Sequence, residues 1–496
     1  MRRTLFSLLL QERQLLRWEA FCVHFAASTR ELAHESGNRR LASVTVGRTT
    51  FDRWSSGTWF GRPRGEAAQV LERMFGHTVD VLFSPADGSD SIAKPITEAA
   101  ERIASRWTTS RLLLPADALV GTWELSGRQN LDGTSAAVHF LPVARCGDDT
   151  GAWDMNADGL HELERFLRPA RRGFLVGVEN RDNDPQFYVR DAGPARRAAS
   201  SGMSTAGMTI PSAYLLDDLT YGILWSLTQL DDGLLADDQA LDAEQRLLST
   251  YLALPRSAPS RMFVDLTSVG TSWVGSAFCA QHIQHQLADA TTVPTFWTRE
   301  QSGEEAAPWL FFQHKIEYLR ALNRFHSTAS PTTRVFCLPN ATVTRSERYE
   351  RILLLLAIAL MEHFGIRVRV IPKPEYSDVD GVALVPGQRA VVANWVRVHG
   401  EVLWAASTTT SRGDLRTYAE VFGDAQDEDL LVGTDTEGRL RSLADYLDID
   451  WAWLTSRCRS LGEHGVADLV RPRSRLLTVE AVDEALAFLG ALAPDR

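Results

Sequence analysis

The stretch TVGRTTFDRWSSGTWFGRPRGEAAQVLERMFG, Thr45–Gly76, decides how the amino-terminal part of the chain folds. Phe51 and Trp54 stand three positions apart, so a helix that begins near Arg48 turns both aromatic rings to one side. The sequence SSG then ends this helix, and apolar residues recur at helical spacing over residues 66–75. The spacing predicts two short amphipathic helices, separated by the arginine-containing loop GRPRG.

The outward side of the first of these helices has the side chains that a DNA recognition helix uses. Arginine pairs with a guanine edge through two hydrogen bonds, and threonine bonds a base or a phosphate. The residues that we expect to read bases are Arg48, Thr49, Thr50 and Arg53. Two arginines of the following loop, Arg62 and Arg64, are predicted to contact backbone phosphates.

The charge of the chain is distributed unevenly. Residues 1–76 contain twelve arginines against seven carboxylates, whereas the whole 496-residue chain has a formal net charge of −11. The basic excess therefore lies in the amino-terminal part, and residues 77–496 carry −16. Such an asymmetry indicates a nucleic-acid-binding module attached to an acidic body.

The order of short motifs in this region resembles the Cro/repressor-like DNA-binding domain of the xenobiotic-response-element (XRE) type. The chain has RWSSG, GRPRG, VLERMFG and VDVLF in the order that this family shows. One departure is the segment NRRLASV, which stands where the family has a glutamine-rich second helix. The resemblance implies a helix-turn-helix head that binds double-stranded DNA, with paired half-sites and hence a homodimer.

Composition divides the rest of the chain into further segments. We expect a multidomain protein with an all-α helix-turn-helix head, a β-rich unit, an α/β domain with a mixed sheet and a short helical tail. The predicted segments are the head (1–84), a linker and helix (85–118), the β-rich unit (119–210), an α/β sensory domain (211–434) and the helical tail (435–496).

Local patterns within these segments make more specific predictions. The β-rich unit is expected to be antiparallel, the stretch 96–114 to be helical, and the small-residue segment 190–211 to be a loop. In the α/β domain, RMFVDL (261–266) is predicted to be a buried strand. Thr344 with Glu347 three residues later predicts a capping box at the start of a long helix.

Cysteine usage and hydropathy indicate the compartment. The five cysteines are far apart and form no CxxC pair, which favours a reducing cytoplasm over a disulfide framework. The start MRRTLFSLLLQERQ is interpreted as a helix rather than a targeting signal, because charged residues follow its short apolar run at once. The run ILLLLAIALM (352–361) is shorter than a bilayer requires, so no membrane span is predicted.

The body of the chain also resembles known families. The segments GTWELSGRQNL, YLLDDLTYGILWSLTQLDDGLLADD and LADYLDIDWAWL are similar to large cytosolic regulators of actinobacteria, in which a Cro/repressor-like head precedes a long sensory region. The strand-helix-strand order around 334–400 is weakly similar to the phospholipase D fold. That family's catalytic His-x-Lys-x-x-x-x-Asp motif is missing, since His314 and Lys315 are adjacent. The resemblance therefore implies lost catalysis.

The stretch FWTREQSGEEAAPWLFFQHK, residues 296–315, is the candidate small-molecule pocket because charged side chains are embedded among aromatic ones. A helix with a wet face and an aromatic core stripe would show the same pattern. The candidate ligand-binding residues are Trp297, Arg299, Glu300, Glu304, His314 and Lys315. Cys279, His282 and His285 are spaced by three, which spreads them around a helix, and we expect no metal, no other cofactor and no catalytic residues.

These patterns together favour a DNA-binding transcription regulator whose body senses a small-molecule effector and mediates dimerisation. We do not expect an enzyme. Two alternatives stay open, a phospholipase D-like enzyme and a protein-binding scaffold, each with the head as a targeting module. A scaffold would favour an apolar rather than an arginine-lined surface on the helix that begins near Arg48.

Overall fold

The computed structural model describes residues 4–13, 15, 17–36, 38–55, 63–83, 101–115, 119–145, 150–153, 157–169, 171–181, 184–201, 209–252, 256–257, 266–325, 331–394 and 405–493. The chain divides into two compact units. The first comprises residues 1–100 and 114–121, and the second comprises residues 101–113 and 122–496. The β-rich, α/β and tail segments that the sequence separates thus lie within the second unit, apart from residues 119–121.

The first unit is built of short helices. They are α1 (Leu5–Glu12), α2 (Trp18–Ser36), a 3-10 helix (Arg39–Ser43), α3 (Arg48–Ser55), α4 (Glu66–Phe75) and α5 (Val79–Leu82). Phe6 of α1 lies at the centre of their shared core, with ring centroids 6.2 Å from both Phe21 and Trp54 and 5.4 Å from Phe75. Three helices are therefore held by one aromatic side chain.

The second unit begins with a seven-stranded sheet. Its strands are β1 (Ser110–Leu113), β2 (Val120–Leu125), β3 (Thr134–Arg145), β4 (Thr150–Trp153), β5 (Gly173–Arg181), β6 (Asp184–Asp191) and β7 (Thr209–Pro211), with α6 (Ala157–Leu167) before β5 and α7 (Ala192–Ser200) after β6. β3 and β5 pair in parallel, with Ala137 opposite Gly173, so the expectation of an antiparallel sheet fails at this pair. Helix α6 lies between β3 and β5 in the chain, as a parallel connection requires.

Two further segments differ from the sequence prediction. Residues 101–106 are helical, but the end of the stretch expected to be helix is β1, which pairs with β2 and places Leu112 opposite Trp123. The segment expected to be a loop contains α7, which Asp191 caps by accepting a hydrogen bond of 2.6 Å from the Gly193 amide. The small residues of this segment are compatible with a helix, and the cap decides between helix and loop.

The second sheet also has seven strands. In the chain, α8 (Asp218–Ala236) and α9 (Asp238–Tyr251) come between the strands of the two sheets. The elements of the second sheet and the helices that connect them are β8 (Arg256–Ser257), α10 (Ser268–Gln286), β9 (Thr295–Thr298), α11 (Gly303–Phe311), α12 (Gln313–Leu322), β10 (Thr333–Cys337), α13 (Asn340–Arg345), α14 (Arg348–His363), β11 (Arg367–Ile371), β12 (Val382–Val385), β13 (Arg389–Asn394), β14 (Ala405–Thr409) and α15 (Arg412–Asp427). The strand predicted at 261–266 falls almost wholly outside the described residues.

The order of strands in this sheet is β11-β10-β9-β12-β13-β14-β8. β9, β10 and β11 run parallel, whereas β12 pairs antiparallel with β9. The strands that follow β9 in the chain, β10 and β11, are added on one side of β9. The strands that follow β12, which are β13 and β14, are added on the opposite side of the sheet. The boundary between β9 and β12 is therefore a switch point of the sheet.

The two faces of this sheet are covered by different helices. One face carries Trp297, Val335 and Val382 and packs against apolar residues of α15, including Phe422. The opposite face, which alternation assigns to Phe296 and Arg334, is covered by α10, α11 and α12. The result is three layers, and the sheet is the middle one.

The long helix of the α/β region starts later than the sequence predicts. The capping box is formed by Glu347 and Glu350, and the Glu347 amide donates to a carboxylate oxygen of Glu350 over 3.0 Å. Thr344 instead lies in the last turn of the separate helix α13, where its hydroxyl donates to the Asn340 carbonyl. Both Thr344 and Glu347 satisfy the capping pattern, but only Glu347 is followed by an uninterrupted helix.

The chain ends in a helical tail. Its helices are α16 (Thr436–Tyr446), α17 (Trp451–His464) and α18 (Glu480–Ala491). A Cβ atom at Gly490 would lie 2.7 Å from the Arg459 Cα atom, so α17 and α18 cross at a position that only glycine fits. Within the described residues we find no helix whose length and apolar character would allow it to span a membrane.

Candidate functional sites

Helix α3 is fixed to the core of the first unit by two aromatic side chains. Phe51 is 2% exposed and lies 4.7 Å from the Phe21 ring, and Trp54 is 4% exposed with its edge against Phe6. The helix begins where the amides of Thr50 and Phe51 both donate to the Gly47 carbonyl. Because these anchors are three residues apart, they fix the rotation of the helix as well as its position.

The anchors leave the other side of α3 at the surface. Its exposed residues are Arg48, Thr49, Thr50, Asp52 and Arg53. The four residues predicted to read bases are thus brought together on one exposed face, which we call the α3 face. Asp52 was not singled out from the sequence, and an aspartate among them would repel phosphates but accept a hydrogen bond from a cytosine amino group.

The arginines of the first unit differ in how they are used. Arg13 donates to the Met74 carbonyl over 2.8 Å, and Arg30 donates to the Ala26 carbonyl. In contrast, the side chains of Arg48 and Arg64 form no hydrogen bond or ion pair with the described part of the chain. These two guanidinium groups are available to an external partner.

The loop that follows α3 is described only in part. Arg62 lies outside the described residues, and Arg64 is exposed two residues before the start of α4. Gly65 precedes the first residue of α4 with φ of 62°, a conformation that favours glycine. An arginine beside the amino end of a helix suits a phosphate, because the free amides of the first turn add to its positive charge.

The segment before α3 is shorter than the helix that usually precedes the recognition helix of a helix-turn-helix. In the described part of this segment, a five-residue 3-10 helix, Arg39–Ser43, stands between α2 and the turn that leads to α3. Leu41 and Val46 are both buried and hold this segment to the core. The sequence NRRLASV therefore forms a short 3-10 helix, whereas the family that the sequence resembles has a full second helix.

In the second unit, a cavity of about 50 Å³ lies between the second sheet and helices α10 to α12. It is positioned at the carboxyl end of β9 beside β12, which is the switch point of the sheet. In open α/β sheets, ligands commonly bind at such a point. Its lining residues that matter for chemistry are Cys279, Trp297, Thr298, Arg299, Glu300, Trp309, Lys315, Tyr318 and Arg334.

Arg334 is the central charged group of this cavity. It is 4% exposed, and its Nη1 donates to the Thr298 hydroxyl over 2.8 Å while Nη2 donates more weakly to the Tyr318 hydroxyl at 3.4 Å. Its Nε atom has no hydrogen-bond partner among the described residues. The guanidinium carbon lies 4.8 Å from the Phe296 ring centroid and 4.9 Å from that of Trp309.

Lys315 is a second buried cation in the same cavity. Its ammonium group lies 3.7 Å from the centroid of the Trp309 ring, and the Trp309 indole donates to a carboxylate oxygen of Glu300 over 2.9 Å. Burial lowers the pKa of Lys315 to about 8, an effect that Glu300 opposes and Arg334 reinforces. Burial also raises the pKa of Cys279 to about 12, so this residue is an uncharged thiol at neutral pH.

The rim of the cavity is half-exposed and more polar. Arg299 lies 3.8 Å from Asp380, and Asp380 accepts a hydrogen bond of 2.7 Å from the Asn394 amide. A Cβ atom at Gly381 would stand 2.7 Å from the Ala393 carbonyl oxygen, so glycine allows the two strands to close here. Arg299, Gly381 and Asn394 are half-exposed residues of the cavity lining.

Four of the six predicted pocket residues line the cavity, namely Trp297, Arg299, Glu300 and Lys315. Glu304 lies elsewhere, because its carboxylate accepts hydrogen bonds from the amides of Arg128, Gln129 and Leu131. His314 also lies elsewhere and bonds the Ser276 hydroxyl through Nε2 at 2.8 Å. Ser276 is fully buried, which keeps this serine from reaching a substrate.

The candidate metal ligands are also separated. Cys279 lines the cavity and His282 is fully buried, whereas His285 is exposed on the same helix. In the part of the chain that the structure describes, no three His, Cys, Asp or Glu side chains are grouped so as to hold a metal ion. Each three-residue step turns the helix by about 60°, so Cys279 and His285, two steps apart, are separated by about 120° around α10.

Sequence reasoning did not assign Arg334, Cys279 or Tyr318 to this pocket, and it considered Cys279 only as a metal ligand. Arg334 stands in the apolar strand TRVFC, where alternation places it on the same inward face as Phe336. A charge at an inward position of a buried strand is the signal that would have identified it. No protein-family model, curated protein or solved structure matches the chain with statistical significance. The assignment of function therefore depends on the geometry of these two sites.

Proposed function

We propose that this protein is a cytoplasmic DNA-binding transcription regulator. In this proposal the α3 face enters the major groove of double-stranded DNA, and Arg62 and Arg64 hold backbone phosphates. The second unit binds a small-molecule effector and mediates formation of a homodimer, which presents two heads to paired half-sites. Its acidic surface disfavours contact with DNA, so that binding is confined to the head.

The observation that carries the proposal is the division of α3 into two sides. Phe51 and Trp54 occupy the core, and every exposed position before the last residue of the helix is Arg, Thr or Asp. A protein-binding scaffold would favour apolar side chains at these positions. The available side chain of Arg48 supports a polyanionic partner.

Electrophoretic mobility of DNA fragments from around the protein's own gene tests this proposal with the full chain. A coding fragment of equal length serves as the control DNA, and each is titrated at about 50 and about 200 mM salt. We expect a shift of at least one upstream fragment that weakens steeply at the higher salt. Absence of any shift, or an equal shift of the coding fragment at both salt concentrations, would refute sequence-specific binding.

A further inference from the structure

Three arginines in the described part of the chain are buried, and two of them have carboxylate partners. Arg172 contacts Asp231 at 2.5 Å and Asp191 at 3.3 Å, and Arg439 contacts Glu362 at 2.5 Å. Arg334 is equally buried, but within the described residues no carboxylate lies within 4.0 Å of its guanidinium. A buried charge without a counter-ion is strongly unfavourable, so this exception needs a physical reason.

The surroundings of Arg334 compensate its charge only in part. The aromatic faces of Phe296, Trp309 and Tyr318 and the hydroxyl of Thr298 are neutral groups. Cation–π contacts of this kind stabilise a cation less than a carboxylate in a desolvated site does. The Nε atom also retains an unsatisfied hydrogen. The site thus lacks one negatively charged acceptor.

The cavity beside Arg334 has the size of such an acceptor. A single water needs roughly 10–15 Å³ of this space, so about 50 Å³ accommodates a group of about four non-hydrogen atoms. Lys315 lines the same cavity, and Glu300 is the single buried carboxylate in the lining. The fork of a guanidinium pairs with carboxylate and phosphate alike, but a cavity for about four non-hydrogen atoms favours the smaller carboxylate.

We propose that the cavity binds the carboxylate group of a small organic acid, with Arg334 and Lys315 as the groups that bind it. The remainder of the ligand extends toward the half-exposed rim at Arg299 and Asn394. This inference deepens the effector role proposed above and relies on it for its regulatory meaning. Binding itself is measured in the absence of DNA, so failure of this site and failure of DNA binding are distinguishable.

Thermal unfolding of the full chain tests the ligand class. Sodium acetate is compared with acetamide, which has the same shape without charge, and with chloride and phosphate at equal ionic strength. We expect acetate to raise the unfolding temperature more than any of the other three, because a ligand that binds only the folded state stabilises it. Equal shifts with acetamide would overturn the charge requirement, and a larger shift with phosphate would overturn the assignment to a carboxylate.

The substitution Arg334→Met separates a binding role from a structural one. Without its anion, a buried arginine lacking a counter-ion contributes little to stability, so the variant should unfold no earlier than the wild type in anion-poor buffer. Its affinity for acetate should fall at least about tenfold, whereas Arg416→Gln, on the exposed side of α15, should leave that affinity unchanged. If Arg334→Met retains the wild-type response to acetate, the proposal is wrong. If the variant does not fold, the comparison of acetate with acetamide on the wild-type chain tests the proposal instead.

Discussion

Among the described residues, Arg48 and Arg334 both lack a carboxylate partner but lie in very different environments. Arg48 lies on the exposed face of α3 in the first unit, and Arg334 lies buried in the second unit. The guanidinium of Arg48 stays hydrated, whereas that of Arg334 is desolvated and has no anionic partner to compensate for the lost hydration. An exposed arginine therefore becomes informative through its neighbours, here two aromatic anchors, and a buried one is informative by itself.

The buried ion cluster around Arg172 provides the reference for this comparison. Asp231 accepts hydrogen bonds from Arg172, from the Arg473 side chain and from the amides of Arg473 and Ser474. Burial raises the pKa of Asp231, but these contacts together lower it by more, so the net shift of the pKa is downward. Here the chain itself supplies the counter-ions that the cavity lacks.

The largest expected effect follows from removing the arginine that has partners. Arg172→Met removes the buried cation that Asp191 and Asp231 share, although Arg473 still contacts Asp231 at 2.8 Å. We expect it to lower the free energy of unfolding by about 3 kcal/mol. Urea unfolding of the full chain, followed by circular dichroism, measures this loss. The matched variant is Arg334→Met, and equal losses for the two would remove the distinction between paired and unpaired buried arginines.

A smaller effect is expected from pH on the binding of acetate. The charged groups that face Lys315 are Glu300 after β9 and Arg334 on β10, and the uncharged Cys279 thiol on α10 lies on the same side. Since the free protein has a Lys315 pKa of about 8, the ammonium is lost as pH rises above that value, and affinity for acetate should fall by up to about tenfold per pH unit.

Titration calorimetry with acetate between pH 6 and about 10 measures this profile, with Lys315→Met as the control. That variant binds acetate more weakly, but its affinity should not change in this range. A wild-type profile that is flat through pH 8 would show that the ammonium does not contact the ligand.

The smallest expected effect concerns base recognition on the α3 face. Thr50→Ala removes one hydroxyl from an exposed position, so the fold is unaffected and affinity for the preferred DNA fragment should fall by about 1 kcal/mol. Binding to the control fragment should be unchanged, because phosphate contacts do not depend on this hydroxyl. Competition titrations with both fragments measure the two affinities. Equal weakening on both would place Thr50 against phosphate instead.

The sequence predicts some parts of this structure and not others, and the reasons are physical. The α3 face follows from residues within one helical turn of each other, so a spacing of three between Phe51 and Trp54 was sufficient. The cavity joins residues from α10, β9, α12 and β10, and such long-range assembly leaves no local pattern. Only its part within residues 296–315 was predicted, because there aromatic and charged side chains are neighbours along the chain.

The errors in secondary structure have the same origin. The parallel pairing of β3 and β5 depends on a helix that crosses between them, and strand composition alone does not encode pairing direction. Helix α7 was predicted to be a loop because small residues are weak signals, and its Asp191 cap was not recognised. The head helices, whose apolar spacing is regular, were easier to place.

The salt dependence of DNA binding tests the central claim most directly. The full chain is titrated onto the fragment that it shifts, between about 50 and 200 mM salt, and compared with the double variant Arg48→Ala, Arg53→Ala and with Arg30→Ala, whose arginine lies on α2. If the α3 face contacts DNA, the logarithm of the wild-type affinity falls linearly with the logarithm of the salt concentration. The double variant then either has a slope that is smaller by about 0.9 per lost phosphate contact, up to about 1.8, or loses its preference for the fragment. Arg30→Ala leaves both unchanged. A double variant with the wild-type slope and the wild-type preference would contradict the assignment of α3 as the DNA-binding helix.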